Sequence, residues 1–143
     1  INQAHPDVRA VISVNKGLVT QASAAIPVVP LYFAILYKVM KRAGNHENCI
    51  QQIARLFTQK LYTPEGFRTD ENGFIRMDDY ELLPEIQEEV KKCWKAVTTD
   101  TVNQYCDIDG YWEDFYHMFG FHYSDIDYTQ DVDANVEING IVM

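Results

Sequence analysis

The spacing of apolar positions changes several times along the chain, and each change marks an element. Between Arg9 and Asn15 the β-branched residues Val11, Ile12 and Val14 fall in a short, nearly continuous run. Such a run predicts a strand covered on both faces, as in a parallel sheet. Asn15-Lys16-Gly17 then interrupts it, and Leu18-Val19-Thr20 continues in an extended path. A patch of small residues follows (Ala22, Ser23, Ala24, Ala25), then Pro27 and Pro30. Ser23 is expected to cap a helix start with its hydroxyl, and Pro27 suits a first turn. Pro30 comes too late for that turn and predicts a kink or a second start. Leu31, Ile35, Leu36, Val39 and Met40 then recur at helical spacing up to Lys41-Arg42, and Gly44 closes the helix.

The period stays helical over 46–62, with Cys49, Ile50, Ile53, Leu56, Phe57 and Leu61 on one face, until Pro64-Glu65-Gly66 ends it. Over 67–77 it becomes alternating about the turn Asp70-Glu71-Asn72-Gly73, which predicts a small hairpin. Asp78-x-x-Glu81 resembles a capping box. A helix from Pro84 is expected to bury Ile86, Val90, Cys93, Trp94 and Val97. Asp100 is expected to cap a short helix to Tyr105, Asp107–Gly110 to turn the chain, and 111–119 to form a helix with Trp112, Phe115 and Phe119 inward. A strand, a tight connection and a long helix in succession point to an α/β fold, and strand-to-helix connections are where such sheets hold ligands.

Composition narrows the classes. The 143 residues suffice for one domain with a core, and 47% hydrophobic against 23% charged is ordinary for a folded chain. The first residue is Ile1, so a preceding portion is expected. The net charge of −9 argues against a nucleic-acid surface. It is uneven, however: residues 1–62 hold seven Lys/Arg against two Asp/Glu, whereas 63–143 hold five against nineteen. The basic half would suit an anionic ligand, although Lys38, Lys41 and Arg42 also complement a helix C-terminus. Three dispersed cysteines, Cys49, Cys93 and Cys106, suggest free thiols in a reducing compartment. The apolar run 22–37 has only sixteen residues and two prolines, fewer than the ~20 a span needs. It reads as a core helix, with no transmembrane span.

Few residues are arranged for chemistry. Tyr37 and Lys41 lie one turn apart on a helix, a spacing that can lower a phenol pKa. Tyr32 and Lys41, nine residues apart, fall on opposite faces. His46-x2-Cys49 and His117-x4-His122 lack a second half for a metal framework, so no metal site is expected. Thr20 is the stronger candidate. Just past a strand and before small residues, its hydroxyl and neighbouring backbone can receive a carboxamide or phosphate, although threonine also caps helices.

Several segments in fixed order then carry a resemblance. ISVNKGLVTQASAAIPVVPLY, LYKVMK, GNHENCIQQIARLF, IRMDDYELLPEIQEEV, GYWEDFYHMFGF and DIDYTQDVD resemble the C-terminal part of trans-2-enoyl-CoA reductases, which include the V-type enoyl-acyl-carrier-protein reductases. The resemblance runs from Ile1 to Asp133, with Tyr80 where Trp is common. It implies the C-terminal portion of a Rossmann-type doubly wound parallel sheet, mostly helical here. The last sheet strand would lie near 9–15, the cofactor loop over 16–22, substrate-side helices over 23–62, the hairpin over 67–77, C-terminal helices over 84–120 and an acidic tail over 121–143.

The resemblance further implies that Leu18, Val19 and Thr20 contact the nicotinamide end of NADH, and that Val29 and Tyr37 face the enoyl pocket. The family's proton-donating tyrosine and its lysine, in Tyr-x8-Lys, would precede Ile1, so no catalytic residue is expected in this chain. The implied activity is NADH-dependent reduction of trans-2-enoyl thioesters of CoA or acyl carrier protein in fatty acid synthesis. The partner would be the remainder of the same reductase. The compartment would be cytoplasmic in a bacterium or mitochondrial in a eukaryote. The alternative is a non-catalytic structural or docking subunit that keeps this fold.

Overall fold

The computed structural model describes residues 9–131. The expected lead-in over Ile1–Asp7 and most of the acidic tail, 132–143, lie outside the described residues. The architecture is a two-stranded parallel sheet carrying a helical layer. Strand β1 (Ile12–Val14) is followed by α1 (Gln21–Ala25), α2 (Val29–Ala43) and α3 (Cys49–Arg55), which runs on as a π-helical turn over Leu56–Leu61. Strand β2 (Phe74–Arg76) returns to the sheet, and α4 (Pro84–Ala96), α5 (Val102–Tyr105) and α6 (Ile108–Met118) complete the chain.

The hairpin expected over 67–77 does not form. Its turn is present: the Asp70 side chain accepts from the Asn72 and Phe74 amides, both at 2.9 Å. Phe74–Arg76, however, pairs in parallel with β1, Ile12 opposite Phe74 and Val14 opposite Arg76. The Val14 carbonyl then accepts from Met77 N–H at 2.8 Å. An isolated two-stranded hairpin is marginal in water, whereas pairing with β1 puts Ile75 and Met77 under the helices, where both are almost fully buried. The strand near 9–15 is therefore shorter than expected and is not the last of the sheet. Among the described residues Ile12 is 60% exposed.

The core forms where α2 crosses α4 and α6. Phe33, Ala34, Ile35, Leu36, Tyr37, Val39 and Met40 are buried there with Ile86, Val90, Cys93, Cys106 and Tyr111. Pro30 starts a second helix as its position predicts, and Val28, at φ 75°, makes the break between α1 and α2. The α1 cap is Thr20 rather than Ser23: the Thr20 hydroxyl accepts from Ser23 N–H at 3.0 Å while the Ser23 hydroxyl accepts from Thr20 N–H at 2.7 Å. Gly44 takes the left-handed conformation at the end of α2. Asn48 caps α3 in a reciprocal pair with Gln51, so the helix starts at Cys49, three residues after the expected 46.

Asp78 and Glu81 do not form a capping box, because both carboxylates are engaged by other partners. Asp78 holds Arg76, and Glu81 reaches back to the β1–α1 loop. Helix α6 is rotated from the expected register. Tyr111 and Asp114 face inward while Trp112 and Phe119 are about half exposed, because Asp107 caps the helix at Gly110 and ties its phase to α2 through Lys41. Trp94 likewise lies at the surface of α4. Among the described residues no helix is long and apolar enough to cross a membrane.

Candidate functional site

The connection from β1 to α1, residues 15–20, sits at the C-terminal end of a parallel strand, and side chains from four directions fix its backbone. The Lys16 N–H donates to Gln52 Oε1 on α3 at 3.1 Å. The Gly17 N–H donates to Glu81 Oε2 at 2.6 Å, the Val19 N–H to the Tyr37 hydroxyl at 3.1 Å, and the Thr20 N–H to Ser23 Oγ at 2.7 Å. Ser23 Oγ also donates towards the Leu18 carbonyl. Among the described residues, the Leu18 N–H and the Val19 C=O have no partner. A primary carboxamide, which offers one acceptor and two donors, is complementary to that pair.

The loop passes close to α2. A Cβ on Gly17 would lie 2.5 Å from the Phe33 ring, so glycine is required by space here. Leu18 and Thr20 are half-buried and Val19 is buried. The Thr20 hydroxyl is committed to the α1 cap, accepting from Ser23 N–H. The accessible part of the loop is therefore Leu18 and Thr20, with Val19 between them nearly covered.

Tyr37 sits beneath the loop with no exposed surface. Its hydroxyl accepts from Val19 and lies 3.4 Å from the Gly17 carbonyl, so its phenol supports the loop and does not open onto a pocket. Burial drives its pKa upward, and burial together with the bond to Glu81 Oε1, 2.6 Å away, pushes Tyr32 up to about 12. Lys41, expected as a partner for Tyr37, instead pairs with Asp107 at 2.7 Å. Neither Tyr32 nor Tyr37 is therefore prepared as a proton donor near neutral pH. Val29, also singled out from the sequence, packs half-buried against the core at the start of α2. Beside it, Pro30, Leu31, Ala34, Val102, Ile108 and Trp112 line a wholly apolar cleft of about 220 Å³ between α2 and α6.

Several supporting residues escaped the sequence reading. Lys16 is 2% exposed, with its ammonium 3.2 Å from the Gly17 carbonyl and 4.5 Å from the Tyr37 ring centroid. Burial pulls its pKa down to about 8, against the opposing fields of Asp114, Glu81 and Glu47. His46 pairs with Asp114 at 3.0 Å and packs edge-on against Tyr37. Arg55, buried, donates to Glu47, Asp79 and the Met77 carbonyl, tying α3 to β2. A lysine between a β-branched run and a glycine was a visible signal for Lys16; His46 and Asp114 are 68 positions apart, and Arg55 reaches Met77 and Asp79 across 22 and 24.

Residues 2–62 match the family model described as the trans-2-enoyl-CoA reductase catalytic region, and 69–132 match the enoyl reductase FAD binding domain. An enoyl-[acyl-carrier-protein] reductase [NADH] of Cytophaga hutchinsonii is 51% identical over 94% of this chain and 34% of its own length. Among solved structures, trans-2-enoyl-CoA reductase of Treponema denticola in complex with NAD aligns at TM-score 0.80 and 47% identity, over 92% of this chain and 33% of that one. The Clostridium acetobutulicum trans-2-enoyl-CoA reductase in complex with NADH aligns at 0.79 and 46%, over 92% and 34%. The chain thus spans about a third of the length of the relatives it matches.

A flavin dinucleotide does not fit the segment 69–132. That segment holds four Lys/Arg (Arg76, Lys91, Lys92, Lys95) against sixteen Asp/Glu, and Arg76 is already held by Asp70 and Asp78. A diphosphate there would meet net negative charge without a glycine-rich turn to receive it.

Proposed function

The chain belongs to the trans-2-enoyl-CoA reductase and enoyl-acyl-carrier-protein reductase family, and from that premise we propose that it supplies the nicotinamide-end loop and one apolar wall of an NADH-dependent reductase of trans-2-enoyl thioesters. The observation carrying this reading is the loop 16–20, clamped from four sides, with the Leu18 N–H and Val19 C=O left without a partner among the described residues. NADH, when bound, supplies the hydride that reduces the enoyl carbon–carbon bond.

The chain's own residues position and exclude. Leu18 and Val19 offer backbone to the nicotinamide carboxamide and so fix which ring face meets the substrate. Thr20 closes the loop by capping α1. A loop already fixed by Gln52, Glu81, Tyr37 and Ser23 loses little conformational entropy on binding, which is the physical content of pre-organisation. Val29 and the cleft between α2 and α6 receive the acyl portion of the thioester, whose alkyl chain favours a lining without polar atoms. Tyr37 acts from beneath the loop. The Tyr32 and Tyr37 hydroxyls are committed to Glu81 and the Val19 amide, which favours a proton donor in the rest of the reductase. The bacterial relatives support a bacterial cytoplasmic setting, with CoA or acyl carrier protein as the acyl carrier.

The test is Thr20→Ala in the full-length reductase, with Thr20→Ser as control. NADH affinity is expected to fall several-fold in Thr20→Ala, with a smaller change in affinity for the enoyl thioester, and Thr20→Ser to retain the cap and the affinity. Equal losses for both ligands, or no loss for NADH, would count against a cofactor role for the loop.

A further inference from the structure

A fully buried lysine normally has an ion-pair partner, and among the described residues Lys16 has none within 4 Å. Its ammonium lies under the loop, donating to the Gly17 carbonyl at 3.2 Å and resting on the Tyr37 ring at 4.5 Å. The Gly17 carbonyl also lies 3.4 Å from the Tyr37 hydroxyl, which receives the Val19 N–H. Lysine, carbonyl, phenol and amide therefore form one continuous chain. It ends on the residue whose carbonyl is left for a ligand. Resting on the cofactor reading above, we propose that Lys16 is a positioning residue for the nicotinamide loop: its ammonium holds the Gly17 carbonyl and the Tyr37 ring in register, and loss of its charge releases the loop and weakens NADH binding.

The charges around Lys16 come from every neighbouring element. Glu81 follows β2, Asp114 lies on α6 and Glu47 precedes α3; all three favour the ammonium. Lys41, on α2, opposes it, and His46 stands between Tyr37 and Asp114. Burial outweighs the carboxylates and brings the group to about 8. Lys16 is thus charged at neutral pH and discharges just above it. A neutral amine keeps at most an ordinary hydrogen bond to the Gly17 carbonyl and loses the attraction to the ring face.

Two consequences run in opposite directions. With a folded pKa of about 8, below the 10.5 of a free lysine, the unfolded chain holds a proton that the folded chain has released between those values. Lys16 therefore adds to folding stability as pH rises through that window. NADH affinity is expected to fall over the same window. A lysine with only a structural role would move the first and leave the second unchanged. The buried thiols of Cys93 and Cys106, pushed up by desolvation, act against Lys16 on stability. Its share is read as the difference between wild type and Lys16→Met.

The experiment measures the NADH dissociation constant of the full-length reductase by fluorescence from pH 6.5 to 9.5, with KM for NADH and kcat taken in parallel. For wild type, binding is expected to weaken on the order of tenfold above an inflection near 8, with KM for NADH rising and kcat at saturating NADH little changed. Lys16→Arg, charged throughout, should lose the inflection and bind better than wild type at pH 9.5. Lys16→Met should bind weakly at every pH while melting higher than wild type at pH 7. A flat wild-type profile, an inflection that persists in Lys16→Arg, or full affinity in Lys16→Met overturns the role of Lys16 while leaving the cofactor loop standing. No NADH binding by wild type at any pH overturns the cofactor reading itself, and this proposal with it.

Discussion

Replacing Tyr37 by Phe removes one hydroxyl from a site with no exposed surface and leaves the ring in place. The ring's parallel stack on Phe33, 6.1 Å between centroids, and its edge contact with His46 at 4.5 Å both survive. The cation contact from Lys16 also has a ring to rest on. What is lost is the acceptor for the Val19 N–H at 3.1 Å and a weak, long donation to the Gly17 carbonyl, which keeps Lys16 Nζ at 3.2 Å. Val19 is 3% exposed, so its amide cannot turn to water without moving the loop. An unsatisfied buried amide costs about 1–3 kcal/mol, partly offset because the hydroxyl no longer has to be desolvated, so a net destabilisation of about 1–2 kcal/mol is expected. Volume is conserved, and no cavity adds to it. Native-state hydrogen exchange in the full-length reductase should show the loss locally, as faster exchange at Val19. NADH affinity should drop by up to about tenfold if the full amount reaches the bound loop. Tyr32→Phe is the control, because Glu81 keeps its bond to Gly17 without it. Unchanged protection at Val19 together with unchanged NADH affinity would refute the claim that this phenol sets the loop.

Gly17→Ala places a methyl 2.5 Å from the Phe33 ring, which is itself buried and stacked on Tyr37. A cost of about 1–3 kcal/mol is expected, seen as a lower melting temperature, and a melting curve superimposable on wild type would show the ring free to swing away. Arg55→Met leaves the Glu47 carboxylate without the Nε–H that its two oxygens share and the Met77 carbonyl without its donor, although Asp79 keeps Lys60 at 2.7 Å. Roughly 3 kcal/mol of destabilisation follows from stranding a partly buried charge, measurable as a shift in denaturation midpoint; a neutral outcome would mean that Glu47 finds water.

Much of the local structure was legible because its determinants are near neighbours. The second helix start at Pro30, the left-handed close at Gly44 and the Asp70–Gly73 turn each depend on residues within a few positions. The β1–α1 connection could be picked out on the same grounds, as the place where a β-branched run gives way to Gly17 and small residues. Local signals misled where a distant partner competed for the same group. Asp78-x-x-Glu81 has the spacing of a capping box, yet Glu81 accepts from Gly17, 64 positions away, while Asp78 pairs with nearby Arg76. Alternation over 67–77 suggested a hairpin, yet β2 buries more by joining β1. The inward face of α6 was set by the Asp107 cap and its bond to Lys41, two contacts that helical spacing does not contain.

By itself, then, the sequence placed most of the helices, the loop at 16–20 and, through its resemblance to the enoyl reductases, the family. Those rest on backbone preferences, turn chemistry and ordered motifs, which act over a few residues. Only the tertiary structure decided what holds the loop. Gln52, Glu81 and Tyr37 come from three separate segments, and Lys16 became a buried, weakly paired ammonium because α2, α3, α6 and the turn after β2 close over it. Desolvation depends on everything packed around a group, and no window of sequence contains it.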